Sequence, residues 1–324
     1  MSEKIDLTLF VPGLSHLASL QPPMPVLQRL LSRADKGRAA KGGLERELFA
    51  LFNQLVPANS ELPVAAITYE LDTGEPADGA ILRADPIYCQ AGRDQVILMA
   101  ASLDLSMDEA QQMVADLNRL FAEDGWQFIA ATPQRWYLRM PNAEKLKATS
   151  ISQVMGRDIH KLLPSSEADS TLHRSLSEIE MLLHSNFANQ QRLNNRQAPV
   201  TNLWLWGGGS LPTKPVSDYA QVWSSDALAL GLAKQAGVPR CDIPTDGTTW
   251  LEQAVTAGKH LVTLTSVEDP IWFEEHWVVP IAEALTSGKL NSIQLQPGNG
   301  RYYQISRRSQ RRWWRRSQSL SSLL

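Results

Sequence analysis

Apolar residues along the chain fall into two rhythms. Leu44, Leu48, Leu51, Phe52 and Leu55 recur at helical spacing and form one stripe, which Pro57 stops. Ala110, Met113, Val114, Leu117, Leu120 and Phe121 form a second stripe. It opens at Ser106-Met-Asp-Glu109, a capping box in which the serine oxygen and the glutamate satisfy exposed amides of the first turn, and Gly125 closes it. Leu172, Leu176, Ile179 and Leu183 share one face of a long helix expected from about 170 to 189. Shorter apolar runs bounded by turn residues predict strands at 5–11, 64–69, 95–100, 202–206, 221–223 and 260–267. Residues 126–130 and 135–139 predict a hairpin around Thr132-Pro133, and 292–295 with 302–305 a second one across Pro297-Gly298-Asn299-Gly300. Helices are expected from Ser225 to Gly237, over 250–257 and over 271–287.

This order predicts an α/β protein. After Pro164 strands and helices alternate as in a mostly parallel sheet. Two strands, a helix and a hairpin before it make an inserted α+β lobe. The expected division is an α/β core from residues 1–74 and 165–306, a lobe from 75–164, and a basic tail from 307–324.

Composition changes the picture in one respect. The 324 residues are 43% hydrophobic and 20% charged, which suits a packed globule and excludes general disorder. The net charge of −3 excludes a generally basic nucleic-acid binder. That average hides a segregation: residues 301–324 hold seven arginines and no acid, so the remainder stands at −10. Cys89 and Cys241 form no CxxC, which excludes a zinc knuckle or thioredoxin motif and suits free thiols in a reducing compartment. The first residues are too acidic and their apolar run too short for a signal peptide. No apolar stretch reaches the roughly 18–20 residues of a membrane helix. The expectation is a soluble cytoplasmic protein of bacterial type.

Candidate chemistry is scattered. The histidines are His16, His160, His173, His184, His260 and His276, and none forms HxH or HExxH, so no local metal cradle is present. His173, Ser177, Glu180 and His184 share a helix face, which either lines a site or meets water. Trp204-Leu-Trp-Gly-Gly-Gly-Ser210 follows a strand with three glycines, where backbone can approach a ligand at a strand's carboxyl end. It is neither a Walker loop nor GxGxxG. The alternative is a plain loop beside two tryptophans. Arg83-Ala-Asp-Pro86, read as a loop, clamps an anion or pairs internally, and Arg135 poses the same choice. Arg307-Arg-Ser-Gln-Arg-Arg-Trp-Trp-Arg-Arg316 suits an acidic surface of the protein itself or of a partner, a phosphate backbone, or an anionic membrane. Docking on an acidic surface is the leading expectation, with Trp313 and Trp314 buried and residues 317–324 frayed.

Several of these motifs together resemble a known family. Ser177-Glu-Ile-Glu-Met-Leu-Leu-His184, Asn189, Arg192, Asn202-Leu-Trp-Leu-Trp-Gly-Gly-Gly209, Arg83-Ala-Asp-Pro86, Asp124-Gly-Trp126 and Arg135-Trp-Tyr-Leu138 are similar to a bacterial phosphoglycerate mutase-like, or RpfE-type regulatory, family. That family is distantly similar to the archaeal-type cofactor-independent phosphoglycerate mutases of the alkaline phosphatase superfamily. The resemblance spans about residues 80–300 and implies an alkaline phosphatase-like three-layer core with the inserted lobe. Such mutases use two metals, an aspartate after the first strand, a serine or threonine nucleophile and a late histidine-rich cluster. Here the first strand runs into Val11-Pro-Gly-Leu, and the late loop reads Leu264-Thr-Ser-Val-Glu-Asp269-Pro.

The leading functional expectation is therefore a mutase-like protein without the two-metal centre and without a cofactor, which binds an anionic small molecule or a partner in a regulatory role. An active mutase or phosphotransferase with atypical metal ligands is the alternative, and an Arg/Trp-tail interaction protein the third. The expected ligand-binding set is Arg83, Asp85, Arg135, Glu178, His184, Asn189, Arg192, Asn202, Gly207, Gly208, Gly209 and Asp226. Of these, Asn189, Arg192, Asn202 and the three glycines are expected to converge on one concave site.

Overall fold

The computed structural model describes residues 4–20, 23–57, 60–141, 143, 146–159, 162–164, 169–209, 214–265 and 267–324. His160, Ser210 and Ser266, singled out above, lie outside the described residues. The strands are β1 (Ile5–Phe10), β2 (Asp35–Arg38), β3 (Leu82–Ala91), β4 (Val96–Ala100), β5 (Gln127–Ala130), β6 (Trp136–Arg139), β7 (Asn202–Trp206), β8 (Tyr219–Trp223), β9 (Arg240–Cys241), β10 (Gly258–Thr263), β11 (Leu290–Gln296) and β12 (Arg301–Ser306). The fold is mixed α/β, in two compact units: Met1–Val56 with Lys214–Leu324, and Pro57–Thr213. The cuts differ from the expected 75–164. The helix Val64–Thr73, the helices over 169–194 and β7 all belong with the second unit, because their pairings and cores are there.

The first unit holds a seven-stranded sheet in the order β2-β12-β11-β1-β10-β8-β9. β1 pairs in parallel with both β10 and β11, and β8 pairs in parallel with β10 and β9. Among the described strands of this sheet, only β12 and β2 run antiparallel at their pairings, at one edge. Helices Ala227–Ala236, Gly247–Gln253 and the run from Pro270 to Ser287 make the crossovers. β1 is buried from Leu7 onward on both faces, as a parallel strand covered on two sides must be. The Pro270–Ser287 run passes through a π-helical turn at Glu274–Val278. Pro280, just beyond Val279, has no N–H to give, and the wider turn accommodates the missing hydrogen bond. Buried Glu274 accepts from the Val26 and Leu27 amides at 2.5 and 3.2 Å and so caps the helix Pro25–Arg33.

In the second unit β3 is central. It pairs antiparallel with β4, β6 and β7, and β6 with β5. The helices Met107–Leu120 and Asp169–Ser185 cover one face through Leu117, Phe121, Leu176 and Ile179 against Leu82, Trp136 and Leu205. The capping box forms at the expected residues: Glu109 N donates to Ser106 Oγ, and Ser106 N to Glu109 Oε2. The long helix ends at Ser185. Asn186 then caps a separate helix, Phe187–Asn194, by accepting from the Ala188 and Asn189 amides.

Three expectations are corrected here. Residues 64–69 are helical, not a strand. Pro63 precedes the first turn, Thr68 Oγ1 donates back to Val64 O, and Gly74 at φ 83° ends the helix. Arg83–Pro86 lies inside β3, not in a loop, because Pro86 stands where the ladder can spare its N–H. β7 is not a strand of the parallel sheet. Leu203 and Leu205 pack on one side and Trp204 and Trp206 on the other, so hydrophobicity alone did not say which sheet it joins.

The tail is also reassigned. Leu320 and Leu323 are buried in the first unit's core, Tyr303 Oη donates to Leu323 O, and a short helix, Leu320–Leu323, forms where fraying was expected. Trp313 and Trp314 are exposed, at 80% and 65%, not buried. Arg312 pairs with Asp35, and Arg315 donates to the Ala34 carbonyl at 2.7 Å. An exposed ion pair contributes at most about 1 kcal/mol, whereas a buried leucine contributes several times that, so the leucines anchor the segment. Leu323→Ala is expected to cost about 2–4 kcal/mol in denaturant unfolding. An unchanged midpoint would show that the segment does not pack.

Candidate functional site

The other face of the second unit's sheet, under the helix Val64–Thr73, carries a buried layer of charges and rings. Arg83 sends Nε and Nη2 to Asp85 Oδ1 at 2.9 and 2.5 Å, and Nη1 to Thr68 Oγ1 at 3.4 Å. Its guanidinium lies 5.6 Å from the Tyr137 ring centre and 5.7 Å from that of Trp206. Trp206 Nε1 donates to the other Asp85 oxygen at 2.7 Å. Arg135 grips Asp72 with two hydrogen bonds, at 2.8 and 2.6 Å, and Tyr137 Oη donates to the same carboxylate at 2.6 Å. Burial pushes the Asp85 carboxyl up, against the pull of Arg83. The expected trio Arg83, Asp85 and Arg135 thus meets on one face, but as a mutually satisfied network. The β-strand period of two put them there: Arg83 and Asp85 alternate with Leu82 and Ala84, and Arg135 and Tyr137 with Trp136 and Leu138.

The other candidates separate. Asn189 donates to the Leu183 and Val200 carbonyls and accepts from Val200 N, all within 2.9 Å. Arg192 donates to the Asp104 and Ala198 carbonyls and to Glu109 Oε1. Both are buried and both brace the chain just before β7. The glycine run follows β7. Five residues in extended backbone put roughly 13 Å between the strand's ends, so Asn189 and Arg192 do not converge with Gly207, Gly208 and Gly209. Asn202 starts the strand, where its Oδ1 accepts from Leu203 N. The glycines approach main chain. Ala65 N donates to Gly207 O at 2.9 Å, Gly208 lies against the Leu82 side chain, and a Cβ at Gly209 would collide with the Glu61 carbonyl. Glu178 pairs with Arg174 one turn away at 2.9 Å. His173, Ser177, Glu180 and His184 are all exposed, so that face meets water.

Asp226 belongs to the first unit, where it caps the helix Ala227–Ala236 by accepting from Ala229 N. Asp246 and Asp269 do the same for the helices that follow them. These carboxylates follow β8, β9 and β10, and Val11-Pro12-Gly13 follows β1, so the sheet's carboxyl edge offers capping groups where a two-metal centre would need free ligands. Among the described residues no three His, Cys, Asp or Glu side chains gather in a way that could hold a metal ion. His260, in β10, is buried; its Nδ1 accepts from Trp223 Nε1 at 3.2 Å and its Nε2 lies 2.7 Å from Thr256 O.

A cavity of about 830 Å³ in the first unit was not legible beforehand. Arg29 and Arg33 from the helix Pro25–Arg33 and Arg307 and Arg311 from the tail line it, and Glu283 is the one acid in its described lining. Leu30, Ala282 and Leu285 supply an apolar floor. Arg33 and Arg307 are held by the Gln310 and Thr286 carbonyls at 2.9 Å each, which leaves further guanidinium donors to face the cavity. Two of these arginines stand on a helix that the apolar pattern did not announce.

Among solved structures, the chain is similar to the PH0037 protein from Pyrococcus horikoshii, over 94% of this chain and 88% of that one, with 12% identity and a TM-score of 0.52. It is also similar to the cofactor-independent phosphoglycerate mutase from Thermoplasma acidophilum DSM 1728, over 100% of this chain and 94% of that one, with 14% identity and a TM-score of 0.47. At such identity the likeness to PH0037 is one of fold. No protein-family model matches the chain, and no curated protein matches it in sequence.

One buried carboxyl stands apart. Glu47 Oε1 accepts from Gly300 N at 2.6 Å, tying the helix Leu44–Leu51 to the β11–β12 turn, while its Oε2 is buried without a partner. Burial raises its pKa to about 7. The folded state therefore holds a proton that the unfolded state releases between about pH 4.5 and 7, and stability falls as pH rises through that window. Glu47→Gln is expected to be more stable than wild type by about 2–3 kcal/mol at pH 8 and equal to it near pH 4. A pH-independent difference in denaturant unfolding would contradict this assignment.

Proposed function

We propose that the chain is a phosphoglycerate mutase-like protein, layered as in the alkaline phosphatase superfamily, that binds a phosphorylated or similarly anionic small molecule in a regulatory role without two-metal catalysis. The observation that carries this is the arginine-lined cavity. Four guanidiniums against one carboxylate, over an apolar floor, suit a ligand with a multiply charged anionic head and a short carbon body. The sequence motifs that resemble the mutase-like family support the same reading. The carboxyl-edge aspartates, spent on helix caps, support the absence of turnover. In this reading Arg83, Arg135, Asn189 and Arg192 hold the second unit together, since protein groups already occupy their donors.

The test is calorimetric titration with 3-phosphoglycerate and with inorganic phosphate. Arg29→Ala and Arg311→Ala are each expected to weaken binding by about tenfold or more, because a charged hydrogen bond contributes roughly 1.5–3 kcal/mol. Glu178→Ala and His184→Ala are expected to change nothing. Equal affinity in the arginine variants would overturn the site. Two manganese or zinc ions per purified chain, with mutase activity that follows them, would overturn the non-catalytic role.

A further inference from the structure

The exposed Trp313 and Trp314 are left unused by that reading. Their rings sit 6.1 Å apart at 83°, on a turn whose neighbours Arg308, Arg311, Arg315 and Arg316 are also exposed. The turn is not loose. Arg312 pairs with Asp35, Gln28 Nε2 donates to Ser317 Oγ, and Gln318 N donates to Ser32 Oγ. Leu320 and Leu323, a few residues later, are buried in the core. A second cavity, of about 560 Å³, opens beside the turn between Ser32, Asp35, Lys36, Arg315, Arg316 and Gln318, with Asp35 already paired to Arg312. Exposed aromatic rings on a braced turn, with cations around them, are a binding device, because exposing two indoles without use is costly.

We propose that this turn docks the protein on the surface of an anionic phospholipid bilayer. The two indoles enter the headgroup region, and the arginines and Lys36 meet lipid phosphates and carboxylates. Tryptophan favours that depth because one end of its ring is apolar and the other donates a hydrogen bond. Charge complementarity favours a planar partner: the positive charge is concentrated here while residues 1–300 stand at −10. A planar bilayer is met by the turn itself, and salt screens exposed charges more than about 8 Å away. A wrapped nucleic acid would run against that acidity. Nearly perpendicular neighbouring rings also cannot both stack on successive parallel bases, as a single-strand platform requires.

The experiment is co-sedimentation of the full chain with phosphatidylcholine vesicles, with and without phosphatidylserine, at low and high salt. Tryptophan emission is read in parallel. Binding is expected only with phosphatidylserine, to weaken with salt, and to carry a blue shift that Trp313→Ala/Trp314→Ala abolishes. Arg308→Ala and Arg316→Ala should each lower the partition coefficient about fivefold. The rings and arginines are exposed, so these variants keep the fold, and an unchanged unfolding midpoint verifies it. Failure to bind, equal binding to neutral vesicles, or tail-dependent binding of a single-stranded oligonucleotide in place of vesicles would each overturn the proposal. Arg29→Ala, which weakens the small-molecule site, should leave vesicle binding intact, so the two readings fail separately.

Discussion

Strand β1 lies between β10 and β11, in parallel register with both. Residues 5–10 are thus paired on one side with a segment about 250 positions away and on the other with one about 285 away, and the first unit's sheet cannot close until that pairing is made. Such non-local pairing must offset a large loop-closure entropy before it contributes stability. The burial of Leu7, Leu9, Ile293 and Leu295 in one core supplies the compensation. All other features of the unit depend on this placement. The Pro270–Ser287 run is positioned by joining β10 to β11, Glu274 on it caps the helix Pro25–Arg33, and that helix and run line the arginine cavity.

Polar groups are managed differently in the two units. The second unit folds Arg135 and Arg192 into bidentate and carbonyl contacts, on Asp72 and on Asp104 and Ala198. A guanidinium whose donors are occupied inside a core is a structural brace. The first unit keeps its cations at the surface, on the helix Pro25–Arg33 and the tail, where they meet few acids. That contrast directs functional attention away from the arginines that most resembled a motif and towards those with no motif at all.

The fold agrees with the α/β alternation read from the chain, and with the fold of PH0037. Both hairpins, the capping box at Ser106 and Glu109, and the helix stripe at 107–121 were legible because local periodicity and cap chemistry act within a few residues; of the 44–55 stripe only Leu44–Leu51 is helical, and Leu55 lies beyond it, exposed. The run at 64–69 was misread because six residues, five of them apolar, have no resolvable period; Pro63 and Gly74 decided it. No helix of the described residues is long and apolar enough to cross a membrane.

By itself the sequence determined the elements with their own local signals, the concentration of seven arginines in residues 301–324, and the lack of an aspartate after the first strand. Tertiary structure alone decided that β7 pairs with β3, since a strand apolar on both faces fits either kind of sheet. It alone separated Arg192 from Gly208, because residues close in sequence order were placed at opposite ends of one strand. It alone brought Arg29 and Arg33 beside Arg307 and Arg311, as no local pattern links positions some 280 residues apart. And it alone turned two tryptophans outward while burying Leu320 and Leu323, because which residue a core accepts depends on the space the rest of the chain has left.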